Sequence, residues 1–136
     1  MFSVYVLLLE KKRVYIGMTP TWRVDIRLAE HMDPDNPTTK WTTKYQTLEK
    51  VWTTSVETKL GATKLEHIIT KELMRIYGLD AVRGGDYVMS KEGGTWWVHK
   101  TMRNIPRFDS TWINCTESEF KHSLKNNQYL NLINPF

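Results

Sequence analysis

Five side chains in the first half of the chain are of the types that phosphodiester chemistry uses. They are Tyr5, Tyr15, Arg27, His31 and Glu66. Hydrolysis of a phosphodiester needs a base that activates water and a cation that stabilises the charge on the phosphate. A carboxylate is a ligand that Mg²⁺ prefers. These residues therefore form a candidate catalytic set, provided that the fold brings them together.

Two β-rich runs carry the tyrosines. Ser3–Leu9 and Arg13–Met18 are separated by a short polar connection, which predicts a β-hairpin. Gly17 interrupts the second run, and a glycine in a strand often marks the close approach of a ligand or of another backbone. A third strand is predicted over Leu48–Ser55.

A first helix is predicted from about Thr21 to His31. Arg27 and His31 are four residues apart and therefore share one face of this helix. The side chains expected to point towards the core are Val24, Leu28 and Trp22. The next stretch, Asp33–Lys40, is rich in turn residues and is predicted to be a loop.

A longer helix is predicted from about Thr58 to Tyr77, where Gly78 is a typical terminator. Its apolar arc consists of Ala62, Leu65, Ile68, Ile69, Leu73 and Ile76. Glu66 lies at the edge of that arc and Glu72 nearer to its middle, so Glu72 is either a paired structural carboxylate or a competing metal ligand. The stretch from Val82 to Asp86 is predicted to be a compact turn, and Thr116–Glu119 a capping box that starts a short helix.

Length and composition indicate an ordinary globular domain. The chain has 136 residues and a net charge of +4, which is compatible with a polyanionic partner without requiring one. Cys115 is the one cysteine, which excludes a disulfide framework. The apolar start has no signal-peptide pattern and is too short to span a membrane. We therefore expect an intracellular protein, cytoplasmic or virus-encoded, that is not secreted and has no membrane partner.

The ordered set of motifs resembles the GIY-YIG endonuclease family. Ser3-Val4-Tyr5 stands at the first motif, with Ser in place of Gly and Val in place of Ile, and Tyr15-Ile16-Gly17 matches the second motif. Arg27 followed by His31 matches the arginine and histidine of the family's first helix. Ala62–Glu66 resembles the segment that ends in the metal-binding glutamate, which favours Glu66 over the competing carboxylate.

The resemblance covers residues 3–85, and within it Trp41–Tyr45 and Tyr77–Gly85 look like a variant found in large DNA viruses. It implies an α/β (α+β) fold with a small three-stranded, mainly antiparallel sheet flanked by helices. We predict a nuclease core over residues 1–85 and a C-terminal extension over residues 86–136 that packs on the core and contacts DNA. Aromatic and basic residues suited to that contact are Trp96, Trp97, Lys100, Arg103, Arg107 and Trp112.

The implied activity is metal-dependent hydrolysis of DNA, with Mg²⁺ or Mn²⁺ held by Glu66. Tyr5 would activate water, Arg27 would stabilise the phosphate, and His31 would relay a proton. Tyr15 would support and orient the site, and Lys44 would assist the tyrosine or hold a phosphate. The residues expected to contact substrate are Gly17, Arg83 and Gly84.

Three alternatives stay open at this level. Ala81 stands where many relatives carry an asparagine, so a catalytically idle nucleic-acid-binding module on the same fold is the main alternative. RNA is a possible substrate besides DNA. A protein-interaction domain that uses the tryptophan-rich tail is the third reading. The sequence does not indicate an oligomeric state.

Overall fold

The computed structural model of the protein describes residues 1–35, 40–85, 105, 112 and 114–133. The strands are β1 (Phe2–Leu9), β2 (Arg13–Pro20), β3 (Thr47–Val56) and β4 (Val82–Gly84). The helices are α1 (Val24–Met32), α2 (Lys40–Lys44), α3 (Lys59–Tyr77), α4 (Glu117–Lys125) and α5 (Gln128–Ile133). Two 3₁₀ turns, Glu10–Lys12 and Thr21–Arg23, precede β2 and α1.

The four strands form one mixed sheet in the order β3-β1-β2-β4. β1 is antiparallel to both β2 and β3, and β4 runs parallel to β2. The predicted count of three strands is wrong, because Val82–Gly84 forms a strand and not part of a turn. A three-residue strand is too short to show alternation, and its pairing depends on a partner far away in sequence. The protein is thus α+β, with helices flanking a four-stranded sheet.

The two faces of the sheet bury different side chains because successive residues of a strand point to opposite sides. Val4, Val6 and Leu8 of β1 belong to the main core, together with Ile69 and Leu73 of α3. The alternate residues form a second cluster, whose members are Tyr5, Leu7, Leu9, Tyr15, Trp41 and Tyr45. The candidate tyrosines therefore lie on the face opposite to α3.

The long helix agrees with its prediction at both ends. The side chain of Thr58 accepts a hydrogen bond from the Gly61 amide, and Gly78, with φ of 111°, ends the helix. Ile68, however, is 49% exposed and does not belong to the core. The prediction that Trp22 points inward is also wrong, because it is 76% exposed in the 3₁₀ turn before α1.

The described residues after 105 pack on the same core. Phe120 and Leu124 of α4 and Leu130 of α5 are buried in the main core cluster. The capping box of α4 is confirmed, with Thr116 and Glu119 hydrogen-bonded in both directions. The Trp112 indole donates to the Ile76 carbonyl oxygen at 2.8 Å, so this tryptophan packs against α3, and its contact with DNA stays a prediction.

The other aromatic and basic residues of the predicted DNA-contacting extension, from Trp96 to Arg107, lie outside the described residues. The domain boundary at residue 85 stays a prediction. Among the helices of the described residues, none is both long and apolar enough to cross a membrane.

Candidate active site

Tyr5 is positioned by the backbone of the neighbouring strand. It pairs with Gly17 in the antiparallel register of β1 and β2, and its ring lies across that glycine. A Cβ atom at residue 17 would be 2.5 Å from the Tyr5 hydroxyl oxygen, which is far too close. The glycine therefore admits the Tyr5 phenol. The sequence predicts that Gly17 contacts substrate. The structure gives another reason for a glycine at this position, because the Tyr5 ring occupies the space that a side chain would need.

His31 connects Tyr5 to α2. Its Nε2 lies 2.9 Å from the Tyr5 hydroxyl oxygen, and its Nδ1 lies 3.4 Å from the Thr42 hydroxyl oxygen. His31 is only 3% exposed, so both contacts are made in the protein interior. The Tyr15 ring packs beside the imidazole, with 5.3 Å between ring centroids. The structure thus brings together two tyrosines and the histidine that the sequence singles out.

Arg27, one turn before His31 on α1, also contacts the Tyr5 hydroxyl. It is hydrogen-bonded to Tyr5 and forms an ion pair with Glu30 at 3.1 Å. Glu30 also pairs with Arg23 at 2.8 Å, so one carboxylate holds two guanidinium groups. Because arginine only donates hydrogen bonds, the Tyr5 oxygen accepts from Arg27 and its own hydrogen is directed to His31.

A Tyr5 hydroxyl that donates to His31 requires one particular tautomer of the imidazole. The nitrogen that accepts from Tyr5 is Nε2, and the proton of a neutral imidazole must then be on Nδ1, which faces Thr42. Burial lowers the pKa of His31 to about 4, and the positive charge of Arg27 contributes to this lowering. His31 is therefore neutral at pH 7 and acts as an acceptor for the Tyr5 hydroxyl proton.

The phenols are held in their protonated forms. Burial raises the pKa of Tyr5 to about 12, although the charge and hydrogen bond of Arg27 oppose this rise. Burial also raises the pKa of Tyr15, with smaller contributions from the charges of Tyr5 and Glu66. The charge of Glu66, on α3, contributes to the raised pKa of both tyrosines.

Glu72 lies in a different environment from Glu66. Its carboxylate is paired with Arg75 one turn further along α3 and is close enough to Tyr129 to raise the pKa of that phenol. Tyr129 belongs to α5, away from the tyrosines of β1 and β2. Of the two competing carboxylates, Glu66 is therefore the one associated with Tyr5.

The site lies at the edge of the sheet where β4 has already ended. β4 pairs only with Val14, Tyr15 and Ile16, and within the described residues no strand continues that edge beside Gly17–Pro20. Arg27 approaches from α1 on one face, while Glu66 belongs to α3 on the other.

Lys44 does not join the Tyr5 cluster. It ends α2, its side chain is exposed, and Nζ lies 5.4 Å from the centroid of the Tyr45 ring. The same ring is contacted by Arg13, at the opposite end of β2 from Gly17. The predicted assistance of Lys44 to the catalytic tyrosine is therefore not supported by its position.

Arg83 and Gly84 have packing roles. The Arg83 side chain is fully buried, its Cζ lies 4.4 Å from the Trp41 ring centroid, and it donates to the Leu79 and Val82 carbonyl oxygens. A Cβ at Gly84 would be 2.5 Å from the Ile16 carbonyl oxygen. Arg83 and Gly84 therefore hold β4 against the rest of the sheet. The buried Arg83 side chain is not one of the substrate contacts that we propose.

A divalent metal ion fits the donors at the Tyr5 site only together with a substrate. The described residues contain no group of three or more His, Cys, Asp or Glu side chains that could hold a metal ion. Mg²⁺, however, keeps several waters and is often held by one or two carboxylates plus substrate phosphates. Glu66 supplies one hard oxygen donor of this kind, so the site suits Mg²⁺ or Mn²⁺ in that mode.

Two residues of the site are missed by sequence reasoning. Glu30 is three residues after Arg27 on α1, and this spacing is itself a signal for an ion pair. Thr42 comes from α2, which the sequence does not predict, and no local pattern indicates its contact with His31.

Comparison of the chain with protein-family models, curated proteins and solved structures finds no match.

Proposed function

We propose that this protein is a divalent-metal-dependent endonuclease that hydrolyses DNA phosphodiester bonds and resembles the GIY-YIG family. The observation that carries the proposal is the hydrogen bond of Arg27 to the Tyr5 phenol, whose pKa also responds to the charge of Glu66. A phenol, a guanidinium and a carboxylate supply a proton acceptor, a phosphate-binding cation and a metal ligand.

The proton path follows from the hydrogen bonds. Tyr5 accepts a proton from the attacking water while its own hydroxyl proton passes to His31 Nε2, 2.9 Å away. A neutral Tyr5 with a raised pKa is a poor base by itself, and the coupled transfer to a neutral imidazole removes the need for a free phenolate. Tyr15 and Thr42 keep the imidazole in the required orientation.

Arg27 and Glu66 act on the phosphate. Arg27 contacts Tyr5 and Glu30 and is thereby held beside the position of the water, where its planar fork can bind two phosphate oxygens. Glu66 would hold Mg²⁺ or Mn²⁺, which when bound supplies Lewis-acid stabilisation of negative charge on the phosphate.

A second candidate function is a nucleic-acid-binding module that does not cut. The observation that favours it concerns the pKa values of two neighbouring groups. Burial raises the pKa of Tyr5 to about 12 and lowers that of His31 to about 4. Both shifts oppose the transfer of a proton from the phenol to the imidazole. On this reading the buried cluster stabilises the fold and Arg27 binds a phosphate without chemistry.

One experiment separates these functions. The purified protein and its Tyr5→Phe variant are incubated with supercoiled, linear and branched DNA, with Mg²⁺ and with a chelator, and binding is measured in parallel. We expect the unmodified protein to cleave DNA only when Mg²⁺ is present, and we expect the Tyr5→Phe variant not to cleave it. Cleavage that persists in chelator overturns the metal requirement. Tight binding without cleavage in any condition identifies the non-cutting module, and absence of both rejects the two functions.

A further inference from the structure

The tip of the β1–β2 hairpin and the end of α2 bring positive charges together away from Tyr5. Arg13 Cζ lies 4.7 Å from the centroid of the Tyr45 ring, and Lys44 Nζ lies 5.4 Å from the same point. A guanidinium nitrogen of Arg13 donates to the Lys11 carbonyl oxygen at 2.7 Å, which ties the turn to this ring. We call Lys11, Arg13, Lys44 and Tyr45 the basic hairpin cluster.

The hairpin turn adopts an unusual backbone for its residues. Lys11 and Lys12 have φ of 56° and 58°, in the left-handed region that asparagine and glycine adopt most readily. A side chain with a Cβ has a steric cost in this region that glycine does not have, so lysine at both positions lowers the stability of the hairpin. Such strain is a reason to search for a function of the side chains that cause it.

The two lysines have different surroundings. Lys12 Nζ donates to the carbonyl oxygens of Trp112 and Cys115 at 2.8 and 2.9 Å and so fastens the hairpin to the C-terminal segment. Lys11, in contrast, has an exposed side chain at the turn. A structural role thus accounts for Lys12, whereas the exposed charge of Lys11 is placed for a partner outside the chain.

We propose that Lys11, Arg13 and Lys44 bind a backbone phosphate of the same DNA that the Tyr5 site acts on, an inference that rests on the proposed function. Two ammonium groups and a planar guanidinium are the groups that bind phosphate most strongly. The turn also contains an acidic residue, Glu10. Its carboxylate accepts a hydrogen bond from the backbone N–H of Gln46 at 2.8 Å and is therefore directed towards the start of β3.

The strand geometry sets the distance between the cluster and the Tyr5 site. Arg13 and Gly17 are four residues apart on β2 and their side-chain positions lie on the same face as Tyr5. At about 3.3 Å per residue this separation is roughly 13 Å. A DNA backbone that lies along β2 would therefore bring another of its phosphates to the cluster while the cleaved bond is at the Tyr5 site.

The turn offers a variant that separates stability from binding. Lys11→Asn replaces lysine with a residue that tolerates the left-handed conformation, so it is expected to raise Tm while it removes one positive charge. A triple variant adds Arg13→Gln and Lys44→Gln and so removes the two other charges. Lys59→Gln is the matched control, because Lys59 is exposed and begins α3 beside the opposite end of the sheet.

Binding is measured by fluorescence anisotropy of a labelled duplex in chelator at several salt concentrations. Lys11→Asn should weaken binding about threefold to tenfold despite its higher Tm. For the triple variant, the slope of log affinity against log salt concentration should be shallower. The expected change is about 0.9 for each phosphate that the variant no longer neutralises. Lys59→Gln should match the unmodified protein.

The outcomes distinguish the two proposals. Affinity and salt slope in the triple variant equal to those of Lys59→Gln would overturn the role of the basic hairpin cluster, even if the unmodified protein cuts DNA. Failure of the unmodified protein both to bind and to cut DNA would reject the proposed function, and with it this inference. Reduced affinity in Lys11→Asn accompanied by a lower Tm would overturn the separation of binding from stability.

Discussion

The Tyr5 phenol and the Gly17 backbone are in direct contact across the β1–β2 pair, and no side chain fits between them. A Cβ atom at residue 17 would lie 2.5 Å from the Tyr5 hydroxyl oxygen and 2.6 Å from the ring carbon Cζ. The YIG glycine of this chain is therefore linked to the tyrosine of the first motif. Its absent side chain determines where the proposed proton acceptor lies.

Gly17→Ala should displace Tyr5 from His31. Since Tyr5 is 1% exposed and closely packed, the methyl group is expected to cost about 1–3 kcal/mol of stability. A shift of about 1 Å at the reacting group should lower kcat about 100-fold. The measurements are the free energy of unfolding in urea and the rate of DNA cleavage in Mg²⁺.

The double variant Tyr5→Phe, Gly17→Ala provides the control for this effect. If the methyl group acts only through Tyr5, the double variant should bind DNA as tightly as Tyr5→Phe alone. A large further decrease of DNA affinity in the double variant would mean that Gly17 has a separate function, such as the direct substrate contact predicted from the sequence.

Arg27→Lys tests whether the guanidinium shape matters as well as its charge. Lysine keeps the charge but lacks the planar fork that reaches Tyr5 and Glu30 together. We expect kcat to fall about 100-fold with a smaller change in KM, because the bidentate interaction with the phosphate stabilises the transition state. Arg23→Lys is the control, since Arg23 also pairs with Glu30, and it should change kcat less than about threefold. Equal decreases in both variants would show that the common partner Glu30 is what matters.

Much of the framework could be predicted from the sequence, since its signals are local. The apolar spacing of α3, its terminator Gly78 and the capping box at Thr116 each depend on neighbouring residues, and each agrees with the structure. β4 and α2 are missed because three and five residues carry too little periodicity. Their places are set by distant contacts, such as the pairing of Val82 with Val14.

The candidate site was predictable in its residue types and less so in its contacts. Arg27 and His31 share a helix face as expected, and the structure adds that both are hydrogen-bonded to Tyr5. Arg83 is expected to contact substrate as part of the turn after α3, whereas in the structure its side chain is buried against the Trp41 ring and two carbonyl oxygens. A sequence pattern does not show such long-range compensation.

Glu66→Gln and Glu72→Gln should have different effects. Glu66→Gln removes the anionic ligand while it keeps the side-chain shape, so cleavage in Mg²⁺ should fall at least about 100-fold with folding and DNA binding retained. Glu72→Gln removes only a partly exposed pair with Arg75, which is worth at most about 1 kcal/mol, and should leave cleavage unchanged. Abolished cleavage in a folded Glu72→Gln protein, with activity kept in Glu66→Gln, would reverse the assignment of the metal ligand.

His31 should make the stability of the protein depend on pH. Burial, helped by the charge of Arg27, lowers the pKa of His31 to about 4 in the folded protein, whereas an unfolded chain has a histidine pKa of about 6.5. Between these values the unfolded state binds a proton that the folded state does not bind. Stability is therefore expected to fall as the pH decreases from about 6.5 to about 4, by roughly 3 kcal/mol in total, and the His31 contribution should level off below that range.

His31→Gln removes this contribution because glutamine does not titrate. The measurement is the free energy of unfolding in urea at pH 7 and pH 4.5 for the unmodified protein, for His31→Gln and for His122→Gln, whose side chain is exposed on α4. Carboxylates titrate alike in all three proteins, so differences between them isolate the histidines. His122→Gln should lose as much stability on acidification as the unmodified protein, and His31→Gln distinctly less. An equal decrease in His31→Gln would show that folding does not lower the pKa of His31.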